Sequence, residues 1–339
     1  MGESNPVHVL NPFDSVRSLC RHITAEIGKR VVGQKEAVEC ITAGLVLGGH
    51  VLMEGVPGIG KTLLARTLAD VVDLEFSRVQ FTPDLMPADV LGTHMVSIGN
   101  DGRPVMTLQR GPLFANVVLA DEINRASPKT QSALLEAMQE RQISLGTETY
   151  KLPEPFFVVA TQNPIDNEGT YPLPEAQLDR FLMKLLIRFP SEDEVLAIVD
   201  RTAGGVDAKV ERVATADALL AAGRTLRQMP VAETVSRYAV RIVFATHPEY
   251  QNAPACVRRY VRAGASPRAA QSLLAVAKFF AVLDGRLNVS ADDVKRAAFP
   301  CLRHRILLNF DALADDATPD TLIRQLLMEL DAPKNPKRK

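Results

Sequence analysis

At 339 residues the chain is too long for one compact core, and its length points to two domains. A hydrophobic content of 46% and a charged content of 23% are those of an ordinary soluble protein able to bury a sizeable core. The formal net charge of −1 argues against a protein whose main task is wrapping nucleic acid, although a local basic channel is compatible with a neutral total. Cys20, Cys40, Cys256 and Cys301 are scattered and form no C-x-x-C pair, so buried free thiols in a reducing compartment are expected rather than a zinc site or a disulfide framework. Met1 to Pro12 holds no basic segment followed by an apolar core, and no run approaches the length needed to span a bilayer. The expectation is a cytoplasmic protein without a membrane span.

From the N-terminus, Met1 to Pro12 reads as a loose arm. Val16, Leu19, Ile23 and Ile27 then recur at helical spacing, with Asp14 as the expected cap. Val31-Val32-Gly33-Gln34 interrupts the pattern, and a second apolar helix runs from Lys35 to Leu47 until Gly48-Gly49 stops it. Val51-Leu52-Met53 is a short apolar run before Gly55-Val56-Pro57-Gly58-Ile59-Gly60-Lys61-Thr62, and Leu63 to Ala69 reads as a helix. The stretch fits G-x-x-x-x-G-K-[ST] at every defined position, in the strand–loop–helix context that the motif requires. Gly55, Gly58 and Gly60 are expected to adopt backbone angles closed to residues with a Cβ, so that successive N–H groups converge on one phosphate. The helix start adds about half a positive charge at the same point. Lys61 would place a full charge near the β- and γ-phosphates, and the Thr62 hydroxyl would ligate Mg²⁺. The candidate binding set for ATP is therefore Gly55, Pro57, Gly58, Ile59, Gly60, Lys61, Thr62 and Leu63.

Leu74 to Val79 reads as a short strand. The proline- and glycine-rich segment from Gln80 to Pro112 is an insertion of the kind that is usually functional. Within it, Asn100-Asp101-Gly102 between Met95-Val96-Ser97-Ile98 and Val105-Met106-Thr107-Leu108 predicts a hairpin. Asn116-Val117-Val118-Leu119-Ala120 has the continuous apolar character of a central parallel strand and ends in Asp121-Glu122. In a parallel sheet the ligand crevice lies beyond the carboxyl ends of the strands, where these two acids sit. Asp121 is a candidate to hold Mg²⁺, through water or together with Thr62, and Glu122 to orient and polarise the attacking water.

Ser127-Pro128 starts a helix with a hydroxyl cap and a first-turn proline, and Leu134, Leu135 and Met138 form its apolar face. Gln142 to Leu145 and Thr149 to Leu152, joined through Gly146-Thr147-Glu148, predict a second hairpin. Phe156 to Thr161 is a further buried strand ending at Gln162-Asn163-Pro164. An amide there, beside the acidic pair, could hydrogen-bond the water or the γ-phosphate; taken alone, Asn-Pro reads equally as a turn. Leu178 to Leu182 leads into a last strand near Leu182 to Ile187, which brings the βα-type strands to five, and Pro190-Ser191 marks a boundary. From Glu192 onward the periodicity is helical throughout, with Ser290 to Asp293 and Thr318-Pro319 as helix starts. The expected domains are 1–190, an N-terminal helix plus a nucleotide-binding α/β core, and 191–332, an all-helical lid. A basic tail, 333–339, follows and is assigned no role.

With these strands placed, the chain resembles the MoxR family of AAA+ ATPases. The resemblance rests on the phosphate loop, Gly111-Pro112-Leu113-Phe114, Leu119 to Ala126, Ala160 to Pro164, the long block from Gly169 to Phe181, and Gly264-Ala265-Ser266-Pro267-Arg268. It implies a P-loop α/β core with a five-stranded parallel sheet flanked by helices, a helix-2 insertion over about Gln80 to Pro112, a hairpin before sensor 1, and a helical lid. It also implies roles: Lys61 and Thr62 in the first nucleotide motif, Asp121 and Glu122 in the second, and Asn163 as sensor 1. Arg180 would be an arginine finger reaching a neighbouring subunit's nucleotide, and Arg268 would be sensor 2. Without the resemblance, Asp179-Arg180 reads as a surface pair and Arg268 as a helix-face charge. Arg125 is a further interface candidate. The family implies a homo-hexameric ring acting on partner proteins, typically ones with a von Willebrand factor A domain, which this chain lacks and a separate polypeptide would supply.

Three functions compete at this point. The first is an ATP-hydrolysing, chaperone-like remodelling machine. The second is a nucleic-acid motor; such motors present basic or aromatic groups at the hairpin tip, whereas this tip is Gly146-Thr147-Glu148. The third is a nucleotide-gated assembly scaffold in which hydrolysis only resets the complex.

Overall fold

The computed structural model describes residues 11–98, 103–164, 169–203 and 208–333. The expected turn at Asn100-Asp101-Gly102, nearly all of the N-terminal arm and the tail from Lys334 lie outside the described residues. Helices α1 (Pro12–Arg30) and α2 (Lys35–Leu47) precede strand β1 (Val51–Glu54). Asn11, not Asp14, caps α1: its Oδ1 accepts from the Phe13 N–H at 3.1 Å, and Pro12 takes the first helical position. Asp14 sits instead in the first turn, where a negative charge complements the helix dipole.

The chain continues through α3 (Lys61–Val71), β2 (Phe76–Gln80), α4 (Pro87–Leu91), β3 (Gly92–Ile98), β4 (Pro104–Arg110), β5 (Val117–Asp121) and α5 (Pro128–Glu140). Then come β6 (Gln142–Leu145), β7 (Glu148–Lys151), β8 (Phe157–Gln162), α6 (Glu175–Leu178) and β9 (Met183–Leu186). Five of these strands form one parallel sheet in the order β2-β5-β8-β1-β9. Its register is flush, with Val51 opposite both Val159 and Met183.

Every residue of β5 is buried, and so is Phe157 to Thr161 of β8, because helices cover both faces of the sheet. Alternate residues go to opposite faces. Val117, Leu119, Phe157 and Val159 join one apolar cluster with α1, α2 and α3, while Val118, Ala120, Val158 and Ala160 join another with Leu134, Leu135 and Met138 of α5. The two hairpins, β3–β4 and β6–β7, stand apart as antiparallel pairs, as their alternation predicts.

The C-terminal part contains α7 (Glu192–Ala203), α8 (Ala216–Gln228), α9 (Glu233–Phe244), α10 (Ala255–Tyr260), β10 (Val261–Ala263) and α11 (Pro267–Leu283). It ends with α12 (Ala291–Leu302), β11 (Leu307–Leu308), α13 (Phe310–Ala314) and α14 (Pro319–Glu329). Ser290 and Thr318 cap α12 and α14 as expected. The lid is not helical throughout, however: Val261 and Ala263 pair antiparallel with Leu308 and Leu307. Strands of two and three residues are too short to register as a period in the sequence. Nor does the apolar core stop at the expected boundary, since Ile23 and Ile41 of α1 and α2 share one cluster with Leu219, Leu273 and Phe280 of α8 and α11.

Cys20, Cys40 and Cys301 are buried, Cys256 is half-buried, and all four are free. Burial pushes the Cys20 and Cys301 thiols up to about 12, which leaves them inert. No helix among the described residues is long and apolar enough to cross a membrane.

Candidate nucleotide-binding site

Between the end of β1 and the start of α3 the backbone turns through Gly58 (φ 81°) and Gly60 (φ 90°), both left-handed. A Cβ on either would meet nothing within 4 Å, so the backbone angle is what selects glycine there and the space before the loop stays open. Gly55 departs from the expectation, since it is not in a left-handed conformation. A Cβ at that position would stand 2.5 Å from Ile59 Cδ1 and 2.9 Å from the Ile187 carbonyl oxygen, so close packing is the reason for glycine. Gly60 caps α3 without a side-chain hydrogen bond, which leaves the first N–H groups of an 11-residue helix available to an anion. Lys61 is buried, and its Nζ donates to the carbonyls of Gly55 and of Gln162, the latter at 3.4 Å. Its ammonium is thereby tethered between the loop and the end of β8. Thr62 is half-buried in the first helical turn, and Leu63 beside it is exposed.

Both acids lie at the end of β5, two strands away from β1. Asp121 is the last residue of β5, directly opposite Gln80 of β2. Its Oδ1 accepts from Thr161 Oγ1 at 2.6 Å, and its Oδ2 accepts from Arg78 Nη2 at 2.7 Å. Glu122 follows in a left-handed conformation (φ 56°), which costs a non-glycine residue about 1–3 kcal/mol and must be held from outside. Three contacts do so. The Glu122 N–H donates to Thr161 Oγ1 at 2.9 Å, Gln80 Nε2 donates to Glu122 Oε2 at 3.0 Å, and Arg125 Nη1 lies 3.2 Å from the same oxygen. Asn163 is buried just beyond β8, two residues after Thr161. The carboxyl ends of β2, β5, β8 and β1 thus bring Lys61, Thr62, Asp121, Glu122 and Asn163 to one side of the sheet.

Beside the loop lies a cavity of about 1000 Å³, bounded by Val31, Val32, Ile59, Gly60, Ile187 and Phe189. Its size and apolar lining suit a base and sugar, with the polar loop at one end. Among the described residues no group of three or more His, Cys, Asp or Glu could hold a metal by itself. A Thr hydroxyl and an Asp carboxylate are hard oxygen donors, the set Mg²⁺ uses when phosphate oxygens and water complete its shell. With both Asp121 oxygens already hydrogen-bonded, contact through water fits best.

Arg180 and Arg268 are elsewhere. Arg180 precedes β9, whose first residue pairs with the first residue of β1, so it lies at the amino end of the sheet. The phosphate loop lies beyond the carboxyl end of the same strand, farther away by at least the length of β1, roughly 13 Å at 3.3 Å per residue. Arg180 Nη1 donates to the Leu135 carbonyl at 2.9 Å. Arg268, in the first turn of α11, places Nη1 4.0 Å from Asp179 Oδ2. Both arginines line a cavity of about 250 Å³ to which no phosphate-loop residue contributes.

Comparison with known proteins identifies the family. The family model for the ATPase family associated with various cellular activities (AAA) matches residues 50–183, and the AAA lid domain model matches 254–326. Chaperone MoxR1 of Mycobacterium tuberculosis is 44% identical over 309 residues, covering 91% of this chain and 81% of that one. The chain belongs to the MoxR family of AAA+ ATPases. Protein MoxR of Methylorubrum extorquens, 31% identical, covers 96% of this chain and is itself covered completely, at 100%. A crystal structure from Cytophaga hutchinsonii superposes with a TM-score of 0.87 at 39% identity, covering 95% of this chain and 97% of the other.

For this MoxR-family chain the sequence-predicted residues fall into two sets. Gly55 to Leu63, Asp121, Glu122 and Asn163 assemble at the carboxyl end, and Arg180 with Arg268 at the amino end. Several residues of both sets escaped sequence reasoning. Arg78 and Gln80 reach the acids only through the register of β2 on β5. Gln131 of α5 donates from Nε2 to the carbonyls of Ile123, Ala126 and Tyr171, and so pins the loop after Glu122 to the segment that leads to Arg180. Arg305, 126 residues away from Asp179, is buried against it.

Proposed function

We propose that this MoxR-family chain hydrolyses ATP at a site completed by a second copy of itself. The reading takes 1–190 as the nucleotide-binding unit and 191–332 as the lid, arranged in a ring, with a homo-hexamer as the family's implied form. The observation that carries it is the separation of Arg180 and Arg268 from their own phosphate loop by the length of the sheet. A guanidinium that far away cannot neutralise charge on its own chain's nucleotide, whereas head-to-tail packing would bring one chain's amino end to the next chain's carboxyl end.

Within such a site the loop N–H groups, the α3 N-terminus and Lys61 bind the triphosphate, and Leu63 and Ile59 border the base cavity. Glu122 takes the proton of the attacking water, and Asn163 donates to that water or to the γ-phosphate. Thr62 and, through water, Asp121 would hold Mg²⁺, which would supply charge neutralisation to the triphosphate. Arg180 and Arg268 of the adjacent copy stabilise the charge that develops on the transferred group, a contribution of about 10³- to 10⁵-fold for an arginine finger. Gln80 and Arg125 hold Glu122 in this structure, and its carboxylate must exchange those partners for water before it acts.

Hydrolysis would serve remodelling of a partner protein, with a von Willebrand factor A domain protein as the partner class that the family implies. The β3–β4 hairpin supports a protein partner, because it exposes Val96 at 67%, Ile98 at 82% and Met106 at 67%. Exposed apolar side chains on these strands suit protein surface rather than a phosphate backbone. The β6–β7 tip, Gly146-Thr147 beside Glu148, offers no cation to a nucleic acid. Steady-state phosphate release tests the chemistry: Glu122→Gln should bind ATP yet turn over at less than about one hundredth of the parent rate, and parent-like turnover would remove Glu122 from the mechanism.

A further inference from the structure

The amino end of the sheet contains a buried cation that none of these roles uses. Arg305 follows α12, and its side chain is only 2% exposed. A guanidinium has five N–H donors in a rigid fork. Here the fork is fully engaged. Nε donates to Asp179 Oδ1 at 2.7 Å, and Nη1 donates to the carbonyls of Leu182, at 3.3 Å, and Cys301. Nη2 donates to the carbonyls of Phe181, at 2.7 Å, and Asp179, at 3.2 Å, and to Ser272 Oγ at 3.2 Å. The neighbouring His304 adds a contact from Nε2 to the Phe181 carbonyl at 3.1 Å. Burial holds the His304 imidazole well below its usual range, so it is neutral and donates through Nε2–H.

These acceptors are not scattered. Three of them are main-chain carbonyls of residues 179, 181 and 182, in the irregular stretch between α6 and β9, and they flank Arg180 on both sides. The same Asp179 carboxylate accepts from Ser266 Oγ at 2.8 Å, the N-cap of α11, two residues before Arg268. One buried fork therefore fixes the backbone around Arg180, while its acidic partner fixes the helix start that presents Arg268. An apolar side chain could fill the same space at no charge-burial cost, so packing alone does not account for a buried guanidinium. It could not gather three carbonyls and a carboxylate.

We propose that Arg305 is a positioning residue that, through Asp179, locks the Arg180 segment to the lid, so that Arg180 and Arg268 meet the neighbouring copy's nucleotide as one rigid unit. The inference rests on the reading above that Arg180 serves another copy's site. Movement of the lid on nucleotide binding would then carry both arginines together, and a misplacement of about 1 Å at such a site costs about 100-fold in rate.

The test compares Arg305→Lys, Arg180→Ala and the double variant in the full chain. ATP turnover, ATP affinity and oligomeric size are measured for each. Lysine keeps the charge but not the fork. Arg305→Lys should lower kcat about 10- to 100-fold with ATP affinity within about two-fold of the parent, and should add clearly less than that in the Arg180→Ala background, where only Arg268 is left to misplace. Full-rate hydrolysis by an assembled Arg305→Lys beside a slow Arg180→Ala would overturn this inference alone, as would losses that multiply in the double variant. Parent-rate hydrolysis by Arg180→Ala would overturn the underlying reading and this inference with it. Should Arg305→Lys fail to fold, Asp179→Asn carries the test by the same criteria, because it removes the paired charge and leaves the carbonyl contacts of the fork in place.

Discussion

The two ends of the parallel sheet handle charge in opposite ways. At the carboxyl end, Arg78 and Arg125 are each bound to an acid of the site, Asp121 and Glu122, and Lys61 is tethered to loop carbonyls. At the amino end, Arg180, Arg268 and Arg305 line one cavity with a single acid, Asp179, whose carboxylate is engaged by Arg305 and Ser266. One end offers a helix start, a lysine and hard oxygen donors; the other holds three arginines beside one acid. On the proposed reading each is half of a hydrolytic site, and the flush register of β1 with β9 keeps the halves from meeting within one chain. On that reading, distance inside one chain is itself a statement about assembly.

The comparison breaks most visibly at Arg180. Arg180→Ala should lower kcat by about 10³- to 10⁵-fold while leaving ATP affinity nearly unchanged, because the own-chain half remains whole. Steady-state turnover alongside equilibrium nucleotide binding checks this. A joint loss of affinity and rate would place Arg180 in its own chain's pocket.

A smaller effect separates the ends by pH. His50 lies just before β1, where its Nδ1 accepts from the Val158 N–H at 3.0 Å and its Nε2 donates to the Met138 carbonyl at 3.0 Å. Burial lowers its pKa from 6.5 to about 4. The unfolded chain therefore binds a proton between about pH 6.5 and about pH 4 that the folded chain refuses. Stability is full above the unfolded value and is lost as pH falls through that window, by about 2 kcal/mol between about pH 7.5 and about pH 5 for His50 alone. Chemical denaturation at those two pH values checks it, and His50→Gln should show a smaller loss than the parent.

The smallest effect sharpens the carboxyl end. Gln80 holds Glu122 through one hydrogen bond, worth about 1 kcal/mol. Gln80→Ala should raise basal turnover by no more than about five-fold, since Glu122 then has one partner fewer to release. A steep fall measured in the same assay would mean that Gln80 positions Glu122 productively.

Much of the carboxyl end was legible because its signals are local. The phosphate loop, the apolar strand before Asp121-Glu122 and the Ser127-Pro128 helix start each lie within a dozen consecutive residues. The reason for Gly55 was not legible, since it depends on Ile187 of another strand. Gln80 and Arg78 acquire meaning only through the β2–β5 register, and Arg305 only when α12 packs beside β9 and brings it to Asp179. The β10–β11 pair was hidden because two or three residues carry no period. By contrast, the separation of Arg180 from the loop follows from strand direction alone: in a parallel sheet, a residue before one strand and a loop after its neighbour lie at opposite ends.

Mixing two inactive variants tests the divided site most directly. Lys61→Ala lacks the nucleotide half and Arg180→Ala lacks the arginine half, and neither should turn over ATP alone. Co-assembled in equal amounts, about a quarter of head-to-tail interfaces would join an intact loop to an intact Arg180, and phosphate release should return to about that fraction of the parent rate. A mixture that assembles yet remains as inactive as its components would contradict the account.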